Sequence, residues 1–291
     1  MSTTITHQPG TWFDPAASAP VSHAEIIARM VAKQVVLLGE THDRFDIHRW
    51  QLHVAAGLLA TGRSLMMGFE MFPRRVQKAL DAFVAGETEA EQFLADSQWA
   101  DVWGFDPALY LPLFQFCRQF KIPMLALNCH RPLVTRVGKE GWDAVPEDER
   151  DGLTPARTAS PDARRYLFEL TGGKREGREA QSADDPAFDR FIRAQGTWDR
   201  AFAVNIAKAL DRQPDALVIG IIGRGHMDYG HGTPFQLADL GIGRVGILVP
   251  SDGDFTPSPH GTIGDAIFRL DTREIGMRAP RQPTEPENSR A

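Results

Sequence analysis

Gln34-Val35-Val36-Leu37-Leu38-Gly39-Glu40-Thr41-His42 joins a wholly apolar run to a carboxylate and an imidazole, with one glycine between them. A short apolar run that stops at glycine suits a strand buried on both faces of a parallel sheet. Glu40 and His42 then fall just past its carboxyl end. In open α/β sheets ligands bind at that edge, because loops converge there and helix N-termini point in. The pattern recurs. Ser64-Leu65-Met66-Met67-Gly68-Phe69 leads into Glu70, and Pro123-Met124-Leu125-Ala126-Leu127 leads into Asn128, Cys129 and His130. The run from Ala216 to Ile222 leads into Gly223-Arg224-Gly225-His226. Four such runs deliver polar groups at the same end, and two of them close with Gly-x-x-His, so the four ends are expected to share one cleft.

The chain has 291 residues, 42% apolar and 24% charged, which is the composition of a soluble globular protein with one substantial core. A net charge of -6 gives no electrostatic case for nucleic acid or an anionic membrane surface. No run approaches the ~20 apolar residues of a membrane helix. The start, Met1-Ser2-Thr3-Thr4-Ile5-Thr6-His7, has neither a basic segment nor an apolar one, and no cysteine precedes Cys117. The expected address is the cytoplasm. Cys117 and Cys129 lack metal-site spacing and are expected to be small buried hydrophobes.

Residues 1–20 are rich in Pro, Ala and Thr and are expected to form an irregular arm, pinned by Trp12 and Phe13. Ser22-His23-Ala24-Glu25 is a capping box that opens a helix to about Ala32. Ile47, Gln51, Val54, Ala55 and Leu58 recur at helical spacing, with His48 and Gln51 three apart near the cleft end. Val76, Ala79, Leu80 and Phe83 mark the next helix, Thr88 with Glu91 a further capped one, and Pro107 to Phe120 another. The order β-α-β-α-β argues for an α/β fold with a central, mainly parallel sheet flanked by helices. From about 146 to 210 the chain departs from that order. Asp162 to Leu170 reads as helix, Thr171 to Asp185 as a mobile polar stretch, and Phe188, Phe191, Ile192, Gln195, Trp198, Phe202 and Ile206 as the stripe of a long helix. This segment is expected as a helical insertion covering the carboxyl-end cleft of a single domain spanning 21–271. A last strand, Arg244 to Val249, follows, and 272–291 reads as a disordered tail.

Glu40, His42, Glu70 and His226 form the strongest chemical set. Two imidazoles and two carboxylates suit a divalent metal, and a carboxylate pair with histidine also suits general acid–base work without one. His48, Gln51, Asn128, Arg131, Gln195, Asp199 and Tyr229 are further candidates to line the cleft, and Asp228 and Tyr229 could orient His226. No nucleophile elbow, phosphate-binding loop or covalent haem motif is present.

In collinear order over about residues 11–250, these features resemble the ChaN-like haem-binding uptake family, within the group that includes Tiki, TraB and erythromycin-esterase proteins. The resemblance is carried by Leu37-Leu38-Gly39-Glu40-Thr41-His42, His48 with Gln51, and Gly68-Phe69-Glu70-Met71-Phe72. Further along it is carried by Trp99, Trp103 and Tyr110, by Ala126-Leu127-Asn128 with Arg131, by Gln195-x-x-Trp198-Asp199, and by Gly223-Arg224-Gly225-His226 with Tyr229-Gly230. It implies haem binding tied to iron acquisition, with stacked haems at a homodimer contact and a tyrosinate iron ligand. Of three tyrosines, Tyr166 is the expected ligand by position, with Arg164 and Arg165 placed for the propionates. Relatives with paired Gly-x-x-His motifs imply an alternative, a metal-dependent hydrolase of a small molecule. There His42 and His226 would hold the metal with Glu40 or Glu70, and the other of the two carboxylates would activate water.

Overall fold

The structure, a computed structural model, describes residues 4–173 and 179–270. Its strands are β1 (Trp12–Asp14), β2 (Ala19–Val21), β3 (Val35–Glu40), β4 (Leu65–Pro73), β5 (Met124–Asn128), β6 (Leu217–Gly223), β7 (Val245–Ser251) and β8 (Ala266–Arg269). They form one eight-stranded sheet in the order β2-β1-β8-β7-β3-β6-β4-β5. The six strands from β8 to β5 run parallel, and β1 pairs antiparallel with both β2 and β8. The helices are α1 (His23–Val31), α2 (Phe45–Leu59), α3 (Gln77–Ala85), α4 (Ala90–Asp96), α5 (Trp99–Val102), α6 (Leu111–Phe120), α7 (Arg131–Glu140), α8 (Pro161–Thr171), α9 (Pro186–Arg212) and α10 (Thr233–Asp239).

Every residue of β3 is buried, because both faces of the sheet are covered. Side chains alternate between faces along a strand. Val36 and Leu38 pack with Ile26, Ile47, Val54 and Phe69 in the layer of α1 to α6. Val35 and Leu37 pack with Leu133, Phe202 and Ile206 in the layer of α7, α9 and α10. Truncating a buried leucine of this strand to alanine costs about 2–5 kcal/mol. The central position of β3 makes its carboxyl end the meeting point of the sheet: Glu40 lies opposite Gly223 of β6, and β4 pairs on the far side of β6.

The capping serine behaves as read, with the Ser22 hydroxyl accepting from the Glu25 N–H at 3.2 Å. The second cap does not form. Helix α4 starts after Glu89, and the Thr88 hydroxyl is buried with no hydrogen-bond partner among the described residues. The reason is Arg118, which donates to the Thr88 carbonyl and to the Glu89 carboxylate at 2.8 Å, fixing the turn from outside. The arm expected to be irregular contains β1 and β2, and Trp12 and Phe13 are each 2% exposed. The insertion divides its work. Helix α9 joins the layer under the sheet, while Leu170 at the end of α8 would lie 3.3 Å from a Cβ on Gly225 and so covers that loop. The expected tail at 272–291 and part of the expected mobile stretch, 174–178, lie outside the described residues. Cys117 and Cys129 are buried free thiols, and burial pushes the Cys129 thiol up to about 12. Among the described residues no helix is long and apolar enough to cross a membrane.

Candidate active site

Glu40 ends β3 at 3% exposure, and a carboxylate that deep requires partners. It has four. His42 Nδ1 lies 2.6 Å from Oε1, and the Tyr110 hydroxyl donates to the same oxygen at 2.9 Å. His48 Nδ1 and Gln51 Nε2 each stand 3.5 Å from Oε2. Gln51 also donates to the Leu38 carbonyl and meets His48 Nδ1 at 2.9 Å, so α2 fastens the end of β3 through its own first turns. Burial opposes the charge on Glu40, but the His42 hydrogen bond and the fields of His48 and His42 outweigh it and lower its pKa. Burial likewise opposes protonation of His42, yet the Glu40 hydrogen bond and charge raise its pKa to about 9. At neutral pH this is a carboxylate–imidazolium pair.

The second loop is built differently. Glu70, on β4, accepts the Gly223 N–H at 2.6 Å, and its backbone carbonyl accepts from Asn128 Nδ2 at 2.8 Å. His226 Nδ1 lies 2.8 Å from Asp199 Oδ1 of α9, and the Thr233 hydroxyl donates to that oxygen at 3.2 Å. Gln195 Nε2 sits 2.9 Å from His226 Nδ1 and donates to the Gly225 carbonyl at 3.3 Å. His226 Nε2 faces Glu70 Oε1 at 3.7 Å, beyond hydrogen-bond length. Burial disfavours the imidazolium, but the charges of Asp199 and Glu70 win and raise the pKa of His226.

Gly223 lets the two halves approach. A Cβ there would lie 3.1 Å from His42 Cε1, so a side chain would press on His42, while Glu70 Oε2 at 3.4 Å would be in ordinary contact. Aromatic rings wall the cleft. His42 meets Trp103 edge-on at 4.7 Å and Phe105 at 5.5 Å, and His226 meets Phe202 at 5.1 Å and Trp198 at 6.2 Å. Two imidazoles, each on its own buried carboxylate, with a third carboxylate between them, can move a proton in either direction.

Of the residues expected in the site, Glu40, His42, His48, Gln51, Glu70, Gln195, Asp199 and His226 come together, and Asn128 holds the backbone of Glu70. The four expected to share a divalent metal are divided: Glu40 and His42 are hydrogen-bonded to each other, whereas Glu70 accepts the Gly223 N–H and His226 is held by Asp199. Among the described residues no three His, Cys, Asp or Glu side chains stand where they could hold one ion. Arg131 lies elsewhere, in a groove between α7 and α9. Tyr229 turns to the rings of Tyr166 at 5.0 Å and His260 at 5.4 Å. The expected haem trio does not converge. The Tyr166 hydroxyl is buried and donates to Asp228 at 3.2 Å, Arg164 donates to Asp189 and the Ala183 carbonyl, and Arg165 pairs with Asp162 at the surface. Three contributors escaped sequence reasoning: the Tyr110 hydroxyl on Glu40, the Thr233 hydroxyl on Asp199, and the Trp103 and Phe105 wall. The aromatic segment was visible, but nothing in it marks one hydroxyl as facing a carboxylate.

A family model described as haem-binding uptake, Tiki superfamily, ChaN matches residues 26–237. The fold is similar to ChaN of Campylobacter jejuni, a structure described for cofacial haem binding, with TM-score 0.66 and 17% identity over 88% of this chain and 95% of that one. An erythromycin esterase, EreC, in its open conformation aligns with TM-score 0.44 and 10% identity over 82% of this chain and 76% of its own. A toxin effector domain of Vibrio vulnificus, RRSP, aligns with TM-score 0.46 and 14% identity over 83% and 38%. Among curated protein sequences, none matches.

Proposed function

Because this chain belongs to the haem-binding uptake family of the Tiki superfamily, we propose that it binds ferric haem and serves in the handling of haem or iron. The family match over residues 26–237, which takes in both Gly-x-x-His loops, carries the reading. Haem supplies a redox-active iron whose behaviour its protein ligand would tune.

The tyrosinate expected at Tyr166 fits poorly. Burial raises the pKa of Tyr166, and the charge of Asp228 raises it further. Its hydroxyl is the donor to that carboxylate, so ligating iron would require losing both the hydrogen bond and the proton. Tyr110 is held in the same way by Glu40, its pKa raised by burial and by that charge. The reading therefore does not rest on Tyr166. Titration with ferric haem, followed at the Soret band, is expected to give a saturable shift at defined stoichiometry that survives Tyr166→Phe. A band identical to free haem throughout would overturn the reading. A homodimer, implied by the resemblance, would appear as a doubled mass of the loaded species in light scattering.

A second reading is favoured by the cleft itself: general acid–base hydrolysis of a small molecule, with His42 and His226 as proton carriers and Glu70 as the base between them. Turnover of ester or amide probes, lost in Glu70→Gln with haem titration unchanged, would support it. Equal turnover in Glu70→Gln would remove it.

A further inference from the structure

The sheet ends at β5, and that edge opens on a hollow of about 350 Å³ between the two helical layers, a size that suits a small molecule. The edge itself is closed to another strand: the Gln77 amide donates to the Met124 carbonyl at 2.7 Å and accepts the Ala126 N–H at 2.8 Å. Three cations line the hollow. Lys208 and Arg212 stand one turn apart on α9, a spacing at which like charges repel. Arg74 faces them from the turn before α3. A Cβ on Gly152 would lie 3.1 Å from Arg74 Nη1 and 3.5 Å from Lys208 Nζ, so these two groups are neighbours. Arg74 donates to the Asp151 carbonyl and Lys208 to the Gly152 carbonyl at 2.9 Å, which uses one N–H of each and leaves the others. Arg212 is exposed and makes no hydrogen bond or ion pair among the described residues. The one carboxylate among the described lining residues is Asp81, already bonded by Gln77 at 2.9 Å, and Asp151, 3.9 Å from Arg74, offsets part of the charge. Burial lowers the pKa of Lys208, and the charges of Arg74 and Arg212 lower it further. The negative end of the α9 dipole accounts for Arg212, but not for Lys208 and Arg74 beside it. Asn205 also lines the hollow at 8% exposure. Its Nδ2 donates to the Leu127 carbonyl at 2.7 Å, which fixes the amide and leaves Oδ1 without a partner among the described residues.

We propose that this hollow binds a small hydroxylated phosphate ester, its dianion held by Arg74, Lys208 and Arg212 and one hydroxyl donating to Asn205 Oδ1. The site is separate from the cleft and independent of the haem reading. Three cationic donors exceed what one carboxylate can use, whereas a phosphate monoester presents three strong acceptor oxygens and close to two charges. The guanidinium groups can grip it in pairs, and the ammonium adds a point charge. Binding would also relieve the mutual repulsion of the three cations. Asn205 has an acceptor to offer and no donor to spare, which selects a ligand carrying an O–H. The short carbon body would rest on Leu125 and Ala209.

The test uses the full chain and glycerol 3-phosphate, titrated by calorimetry with the ionic strength held constant by sodium chloride. Saturable binding at one site is expected. Arg212→Gln and, separately, Lys208→Gln should each weaken it about tenfold or more, in line with losing a hydrogen bond to a charged group. Ethyl phosphate, which keeps the charge and lacks the hydroxyls, should bind about fivefold more weakly to the wild type. Glycerate, which keeps hydroxyls and replaces the phosphate by one carboxylate, should bind about tenfold more weakly. Thermal melting of each variant confirms that it is folded. If both variants bind glycerol 3-phosphate as the wild type does, or if the wild type shows no saturable binding, the proposal is wrong. Glycerate binding as tightly as glycerol 3-phosphate would overturn the assigned ligand class, and ethyl phosphate doing so would overturn the contact to Asn205.

Discussion

The two Gly-x-x-His loops share a spacing and differ in almost everything that spacing leaves open. In Gly39-Glu40-Thr41-His42 the carboxylate that holds the imidazole is two residues away, at the end of the same strand. In Gly223-Arg224-Gly225-His226 the corresponding carboxylate comes from α9, as Asp199, and a second one faces it from β4, as Glu70. The first histidine keeps 32% of its side chain exposed, and the second keeps 12%. One loop is thus self-contained and tied down by α2 and Tyr110. The other is a junction of three elements. Identical motifs become different chemical groups because pKa and reach are set by neighbours, and neighbours are set by topology.

Substitutions should separate the loops by size of effect. Glu40→Ala removes the partner of a charged imidazole, the acceptor of a buried tyrosine and the target of Gln51 together, and is expected to cost about 3 kcal/mol in denaturant unfolding. A loss under about 1 kcal/mol would show that the first loop is not the self-contained one. Asp199→Asn keeps the shape but removes the charge beside His226, for an expected cost of about 2 kcal/mol and a lowered His226 pKa with His42 little changed. Tyr110→Phe deletes one buried hydroxyl, worth about 1 kcal/mol, and should leave the second loop untouched. The pH dependence separates the loops as well. His42 has a folded pKa raised to about 9 from an ordinary 6.5, so its contribution is complete below about pH 6.5 and is lost as pH rises through about 9. That alkaline loss should vanish from the stability profile of Glu40→Gln.

Much of the parallel sheet was legible, because its strands are continuous apolar runs with glycine stops, and the site followed from what stands at their ends. Asp199 and Gln195 were visible as polar groups on an otherwise apolar helical stripe, which is a demand for partners. The antiparallel edge was not legible. Strands β1 and β2 are three residues each, Pro20 sits in β2, where only an edge strand tolerates it, and their partner β8 lies some 250 residues away in sequence. Tyr110 escaped for a related reason: in a segment with Trp99, Trp103 and Phe105 its ring reads as core, and only the packing of α6 against α2 aims its hydroxyl at Glu40. Tyr166 misled because position on a helix does not say which way a hydroxyl faces, and here Asp228 claims it.

The claim that the two loops form one cleft with separately carried imidazoles is tested most directly by following the histidine ring protons by NMR through a pH titration of wild type, Glu40→Gln and Asp199→Asn. The account predicts that His42 titrates near 9 in the wild type, falls in Glu40→Gln and stays high in Asp199→Asn, with His226 doing the reverse. Wild-type midpoints near 6.5 for both, or a single substitution that collapses both equally, would contradict it.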